Sequence, residues 1–258
     1  MLSERLQKIA DLIEYGETMA DIGTDHGFLP VYLIKTGKCP KAIATDISKN
    51  SLKKAEELIS YEKLLSDCSA RVGDGLNPIE LGEVDDIVIA GMGGILMTEI
   101  LSADISKSHS FKKIILQPRS KIHYLRKWIR ENGFSITKER LAKEGERICE
   151  ILLVKPSDDY HVSSVNGSSV ASVGEFLLTD FFPEALIWEP NELTLEYLEY
   201  HLMKNEAILN KLRDNMSKDF ENPYNAINTA KLNYFEKIVG HLKMLIRKYE
   251  ERNFNNAY

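Results

Sequence analysis

Asp21-Ile22-Gly23-Thr24-Asp25-His26-Gly27 decides the fold. It closes a short apolar run, Thr18–Ile22, and opens a helical pattern, His26–Thr36, so it reads as a strand-to-helix corner. The unpaired amides at such a helix start can meet a phosphate or a carboxylate. Gly23 allows the close turn a ligand needs, and Gly27 lets the helix start pack tightly. The dinucleotide fingerprint G-x-G-x-x-G is absent, because Thr24, Asp25 and His26 fill the space between the two glycines. An acidic loop repels a pyrophosphate. It suits a zwitterionic amino-acid moiety, whose ammonium wants a carboxylate partner such as Asp21.

Outward from this corner, strand and helix patterns alternate. Candidate strands are Thr18–Ile22, Ala42–Ile47, Ala70–Val72, Asp86–Ala90, Ile114–Gln117, Phe134–Leu141 and Ile148–Val154. Helical patterns occupy His26–Thr36, Lys49–Tyr61, Gly94–Leu101 and Ile122–Glu131. This spacing predicts an α/β fold with a doubly wound, mostly parallel sheet. Continuous apolar runs such as Ile87-Val88-Ile89-Ala90 fit strands covered by helices on both faces. Only the turn Lys143-Glu144-Gly145-Glu146 separates the last two strands, which forces an antiparallel edge hairpin.

Residues 1–155 are read as one domain and Pro156–Ser172, rich in Ser, Asp and Gly, as a linker. Residues 173–258 are read as a helical domain. Leu195, Leu198, Leu202, Asn205, Leu209 and Leu212 follow three–four spacing, as do Leu232, Phe235, Val239, Leu242, Ile246 and Tyr249. With Asn222-Pro223 between them as N-cap and first-turn proline, they predict a C-terminal helical hairpin with coiled-coil-like seams.

Three further strand ends carry polar or glycine-rich corners. Asp46, followed by Ile47, lies 25 residues after Asp21, about where an acid accepts ribose hydroxyls. Gly73-Asp74-Gly75 offers a carboxylate to an adenine amino group, and Ala90-Gly91-Met92-Gly93-Gly94 offers bare backbone to the reacting centre. Each alone has a plain reading as a turn, a helix cap or a loose helix start. Four at successive strand ends point to a nucleoside cofactor, because open α/β sheets bind ligands there.

Composition narrows the class. Apolar content is 43% and no run of 18 apolar residues occurs, so no membrane span is expected. The charged N-terminus lacks a signal-like apolar core, and a cytoplasmic protein is expected. Cys39, Cys68 and Cys149 show no C-x-x-C spacing; structural thiols are expected, with no metal. Net charge is −6, yet residues 1–155 carry 23 basic and 23 acidic side chains, leaving 10 and 16 beyond. A basic stretch can therefore sit on an acidic protein.

Together, Asp21 to Pro30, Gly73-Asp74-Gly75-Leu76, Ile89-Ala90-Gly91-Met92-Gly93-Gly94 and Leu116-Gln117-Pro118 resemble the bacterial tRNA (adenine-22-N1)-methyltransferases of TrmK type. The resemblance covers residues 1–155 and extends in kind to the helical hairpin. It implies a class I methyltransferase, Rossmann-like fold, S-adenosylmethionine as donor, and methylation of N1 of an adenine in the D-arm of tRNA. By motif, Asp21, Gly23, Thr24, Gly27, Asp46, Ile47, Asp74, Gly75, Gly91 and Gly93 would bind cofactor. Met92 would border the methyl group. Phe28 stands where the family often has tyrosine, and Cys149-Glu150-Ile151 where Tyr-Glu-Ile is common.

Adenine N1 carries an in-plane lone pair, so no proton must leave before attack, and the enzyme supplies positioning and electrostatics. Asp25, His26 and Met92 are the candidate catalytic residues, the first two for contacting the base or taking its proton later; capping the helix is the plainer role of Asp25 and His26. A paired N1 is out of reach, so the base must be unpaired or extruded against a wall such as Phe28 or Met92. Arg119, Lys121, Arg126, Lys127 and Arg130 are the candidate RNA contacts within a basic run that also holds Lys107, Lys112 and Lys113. A monomer or weak dimer is expected. The competing readings are a methyltransferase of another RNA, a protein or a small molecule, and a non-catalytic nucleoside-binding RNA chaperone.

Overall fold

The computed structural model describes residues 2–157, 176–218 and 225–255. It divides into two compact units, Met1–Glu175 and Phe176–Tyr258. The linker expected at Pro156–Ser172 lies outside the described residues from 158 onward, as does Asn222-Pro223.

In the first unit the order is α1 (Glu4–Leu12), β1 (Met19–Ile22), α2 (Phe28–Lys35), β2 (Ala42–Asp46), α3 (Lys49–Tyr61), β3 (Cys68–Val72), β4 (Asp86–Gly93), α4 (Gly94–Ala103), α5 (Ile105–Ser110), β5 (Lys113–Ser120), α6 (Ile122–Glu131), β6 (Phe134–Glu144) and β7 (Arg147–Pro156). Seven strands form one sheet in the order β3-β2-β1-β4-β5-β7-β6. β1 to β5 are parallel, and β7 is antiparallel to both β5 and β6. The predicted edge hairpin is present, with its second strand inserted next to β5.

Strand residues alternate between two cores. Ala20, Ile22, Ile87, Ile89, Ile114 and Leu116 meet α4 and α6 through Met97, Leu101, Leu125 and Trp128. Met19, Val88 and Ile115 meet α1 and α2 through Ile9, Ile13, Leu29 and Leu33. Each such aliphatic side chain contributes about 1.5–3 kcal/mol on burial, and this two-sided burial accounts for the continuous apolar strands.

β4 differs from its expected end at Ala90. After an irregularity it continues beside β5, pairing Met92 with Pro118 and Gly93 with Ser120. α1 gives bounds to the charged, helix-like N-terminus, Met1-Leu2-Ser3-Glu4-Arg5. Ser3 caps it by accepting from Leu6 N–H at 3.4 Å.

At the N-terminal edge of the strands, Lys113 is buried between acids. It is hydrogen-bonded to Glu17 and lies 3.4 Å from Glu14 and 3.6 Å from Asp86. Burial, reinforced by Glu17, pushes the Asp86 carboxyl up to about 8. This cluster stands at the edge opposite the ligand corners.

The second unit contains α7 (Leu178–Phe181), α8 (Ala185–Trp188), α9 (Thr194–Lys218) and α10 (Asn225–Asn255). Leu198, Leu209, Val239 and Leu242 from the predicted seams are buried, joined by Ile238 and Leu245. Arg213–Glu236 and Lys243–Glu206 ion pairs at 2.7 Å link the two long helices. No helix among the described residues is long and apolar enough to cross a membrane.

Candidate cofactor and substrate site

Strand order reverses between β1 and β4, and the loops leaving their C-terminal ends flank the crevice that forms there. The corner after β1 is tied to β2, since Gly23 and Thr24 N–H both donate to Thr45 O at 2.8 Å. Thr24 is buried; its hydroxyl accepts from Gly27 N–H at 3.1 Å and hydrogen-bonds Asp21. Asp21 is buried as well, and burial pushes its carboxyl up to about 6. The Thr24 hydroxyl and the Arg5 charge restrain that rise, and the Asp46 carboxylate adds to it.

Gly23 has φ +79°, in the left-handed region, and a Cβ there would stand 2.1 Å from Met92 Cε. The first and fourth corners therefore interlock at a point where a side chain would not fit. A Cβ on Gly27 would lie 3.0 Å from Ala55 Cβ, so this helix start sits directly on α3.

After β2, Ser48 N–H donates to one Asp46 oxygen at 2.6 Å, which fixes the carboxylate. The other oxygen has no hydrogen-bond partner among the described residues. Ile47 beside it is 70% exposed, an apolar surface at the crevice rim. After β3, Gly75 lies against Ile100 of α4 and Gly73 against Pro78, with the exposed Asp74 held between them. After β4, Gly91 lies near Arg119 Nε and Gly93 near Ser120 Oγ, at 3.7 and 3.4 Å from their ideal Cβ positions. Gly94 leaves even less room: its Cβ would stand 2.5 Å from Lys121 O.

Asp25 and His26 lie on the rim. His26 Nδ1 is 2.8 Å from Asp25 Oδ2, and Lys54 Nζ is 3.2 Å from Asp25 Oδ1. The His26 ring stacks on Phe28, with centroids 5.1 Å apart and planes 1° from parallel. Phe28 is 52% exposed, so it is a surface platform and not a core residue. Met92 is partly buried against the core.

The expected RNA contacts divide. Arg119 and Lys121 are exposed where β5 ends, on the ligand side. Arg126 and Lys127 are buried, which corrects their reading as a phosphate-binding face. The Arg126 guanidinium is 2.8 Å from Glu139 and 2.7 Å from Glu150, so β6 and β7 neutralise it. Arg130 is exposed but on the last turn of α6, about 12 Å along the helix from its ligand-side start. Lys107 donates to the Leu76 and Ile79 carbonyls, and Lys112 pairs with Asp85.

Two residues that tie α1 to the sheet carried no role in the sequence reading. Arg5 of α1 donates from Nη1 to Gln117 Oε1 at 2.9 Å and from Nε to Glu144 at 2.7 Å. Gln117, buried within β5, donates in turn to Pro118 O. The Ser3 cap signature marks α1, but no local signal shows where Arg5 leads.

The family model described as a methyltransferase domain matches residues 2–152. The tRNA (adenine(22)-N(1))-methyltransferase of Bacillus subtilis (strain 168) is 37% identical over 177 residues, covering 68% of this chain and 74% of that protein. The crystal structure of the B. subtilis M1A22 tRNA methyltransferase TrmK superposes with TM-score 0.79 at 30% identity, over 95% of this chain and 99% of the other. M. capricolum TrmK, in complex with the natural cofactor product S-adenosyl-homocysteine, gives TM-score 0.73 at 25% identity over 96% and 99%. The chain belongs to the TrmK-type family of tRNA (adenine(22)-N(1))-methyltransferases.

Proposed function

We propose that the protein transfers the methyl group of S-adenosylmethionine to N1 of adenine 22 in the D-arm of tRNA. The observation that carries this reading is the convergence of four strand-end corners on one crevice, in a chain of this family.

The donor set fits such a cofactor. Asp21 is a buried carboxylate suited to an ammonium, Asp46 has an open oxygen for ribose, and Ile47 is an apolar cover for an adenine face. Asp74 lies exposed at the neighbouring corner, where it would take the adenine amino group. Gly23, Thr24, Gly27, Gly75, Gly91 and Gly93 shape the backbone around them. When bound, S-adenosylmethionine supplies an electrophilic methyl group.

The chain's own residues position and stabilise. Phe28, stacked on His26, offers an exposed platform for an extruded base, and Met92 forms a wall. Asp25 accepts from His26 Nδ1–H and so leaves Nε2 as the acceptor. In that tautomer His26 can take the proton that the cationic methylated base later releases, while Asp25 opposes the positive charge. Arg119 and Lys121 meet phosphates at the ligand-side edge.

We further assign residues 1–155 to the catalytic domain, 156–172 to a linker and 173–258 to a helical domain, in a cytoplasmic monomer or weak dimer. The test is nucleoside mass spectrometry of a tRNA transcript incubated with protein and labelled donor. N1-methyladenine is expected, and it should disappear when position 22 is guanine. Label at another position, or none, overturns the reading.

A further inference from the structure

β7 runs antiparallel to β5, with Leu152 opposite Leu116, so the β6–β7 hairpin turns at the end where β5 finishes. Its tip, with Glu144 opposite Arg147, therefore stands on the ligand side of the sheet. There Arg147 donates from Nη2 to the Arg119 carbonyl. The Arg119 side chain reaches the glycine corner of β4: its Nε is 3.7 Å from the point where a Cβ on Gly91 would stand. Lys121 lies two residues further on, its carbonyl against Gly94. Three exposed cations thus gather beside the glycines of one corner.

Their lack of counter-charges sets these three apart. In the same basic run, Lys112 pairs with Asp85, Lys113 with Glu17, and Arg126 with Glu139 and Glu150. Lys127 and Arg130 both approach Glu131, at 3.8 and 3.9 Å. Among the described residues, no carboxylate pairs with Arg119, Lys121 or Arg147. The hairpin tip has two acids within reach of that task. Glu144 is taken by Arg5 of α1 at 2.7 Å, and Glu146 makes no ion pair among the described residues. Like charges gathered on a surface repel until an anion joins them, and a phosphate is the anion that a guanidinium fork fits.

We infer that the β6–β7 hairpin is part of the tRNA-binding surface, with Arg147 as a third phosphate contact beside Arg119 and Lys121. The inference rests on the tRNA reading above and deepens it. An adenine extruded toward the glycine corner of β4 brings its own flanking phosphates to the rim of that corner. Arg119 and Arg147 stand there. Arg147 is docked on the Arg119 carbonyl through one nitrogen, which leaves Nε and Nη1 for a ligand. Arg5 acts at one remove, by occupying Glu144.

The test is tRNA binding to the full chain, followed by fluorescence anisotropy between about 50 and 200 mM salt. Arg147→Gln removes the charge and keeps an N–H for the Arg119 carbonyl. It should flatten the slope of log affinity against log salt by about 0.7–0.9, so its deficit shrinks about threefold across that range. Arg147→Lys keeps the charge and should keep the wild-type slope. Glu146→Gln removes an acid from the tip and should tighten binding at the low-salt end. Affinity for S-adenosylhomocysteine, measured by calorimetry, should stay at the wild-type value in all three.

An unchanged slope in Arg147→Gln overturns the inference even if affinity falls, because a mere anchor for Arg119 releases no counterions. If Arg119→Gln flattens the slope in the same experiment, the tRNA reading survives without the hairpin. A loss shared equally by tRNA and S-adenosylhomocysteine also overturns it, since Arg147 would then only support the fold. If the wild type binds no tRNA, the reading itself fails and takes this inference with it.

Discussion

The Met92 methyl group lies 2.1 Å from the point where a Cβ on residue 23 would stand, so the corners after β1 and β4 share one volume. Gly23→Ala must displace Met92 and also hold φ +79°, which costs about 1–2 kcal/mol for a residue with a Cβ. We expect calorimetry to show at least a roughly tenfold weaker affinity for S-adenosylhomocysteine, with the far-ultraviolet circular dichroism unchanged. Adding Met92→Ala should recover only part of it, since the backbone strain remains.

Asp46→Asn keeps an acceptor for the Ser48 N–H and removes the charge. The loop should hold its shape while ribose binding loses a charge-assisted hydrogen bond, about 1.4 kcal/mol or tenfold in affinity. S-adenosylhomocysteine and 5′-methylthioadenosine should weaken by the same factor. Unequal losses would place Asp46 away from the ribose.

Asp25 is exposed and outside the buried pocket floor, and its carboxylate engages His26 and Lys54. Asp25→Ala should therefore lower single-turnover methylation more than it lowers cofactor affinity. Equal losses in the two measurements would reduce Asp25 to a loop support.

Lys121 holds φ +57°, a left-handed conformation at the N-cap of α6. Lys121→Gly should relieve this strain, raising stability by about 1 kcal/mol while weakening tRNA binding. Removing one phosphate-binding charge, there or at Arg119, should flatten the salt dependence by about 0.7–0.9 in log–log slope. Arg130→Ala, on the far end of α6, should leave that slope alone.

The Asp86 carboxyl sits at about 8 in the folded chain, against about 4 for an unfolded aspartate. The folded state thus holds the proton more tightly, and this contribution is present below pH 4 and lost as pH rises to 8. Glu17 is shifted down and Lys113 up, so neither titrates between pH 5 and 8. Asp86→Asn should gain stability relative to the wild type between pH 5 and pH 8 in urea melts. A difference that stays constant across that range would refute the assignment.

What the sequence conveys and what it hides divide along chain distance. Asp21, Gly23 and Asp46 are legible because each ends a strand whose apolar run is local, and Ser48 capping α3 is equally local. Arg5 is not, because its partners Gln117 and Glu144 are 112 and 139 residues away. Arg126 and Lys127 read as a basic surface because charge alone was counted. The acids that neutralise Arg126 come from β6 and β7, and only the inserted β7 brings Glu150 there. Phe28, offered in the sequence as a wall for the base, starts α2 and faces solvent, where such a wall has to stand.

The absent side chain of Gly94 leaves the corner after β4 and the end of β5, which we propose to seat the donor and to face tRNA, with no slack between them. Its α carbon begins α4, and the carbonyl that a Cβ there would meet belongs to Lys121. A shift in either wall is thereby handed to the other. On the proposed reading, the grip on the acceptor and the seat of the donor would be registered against each other to within a methyl group's width.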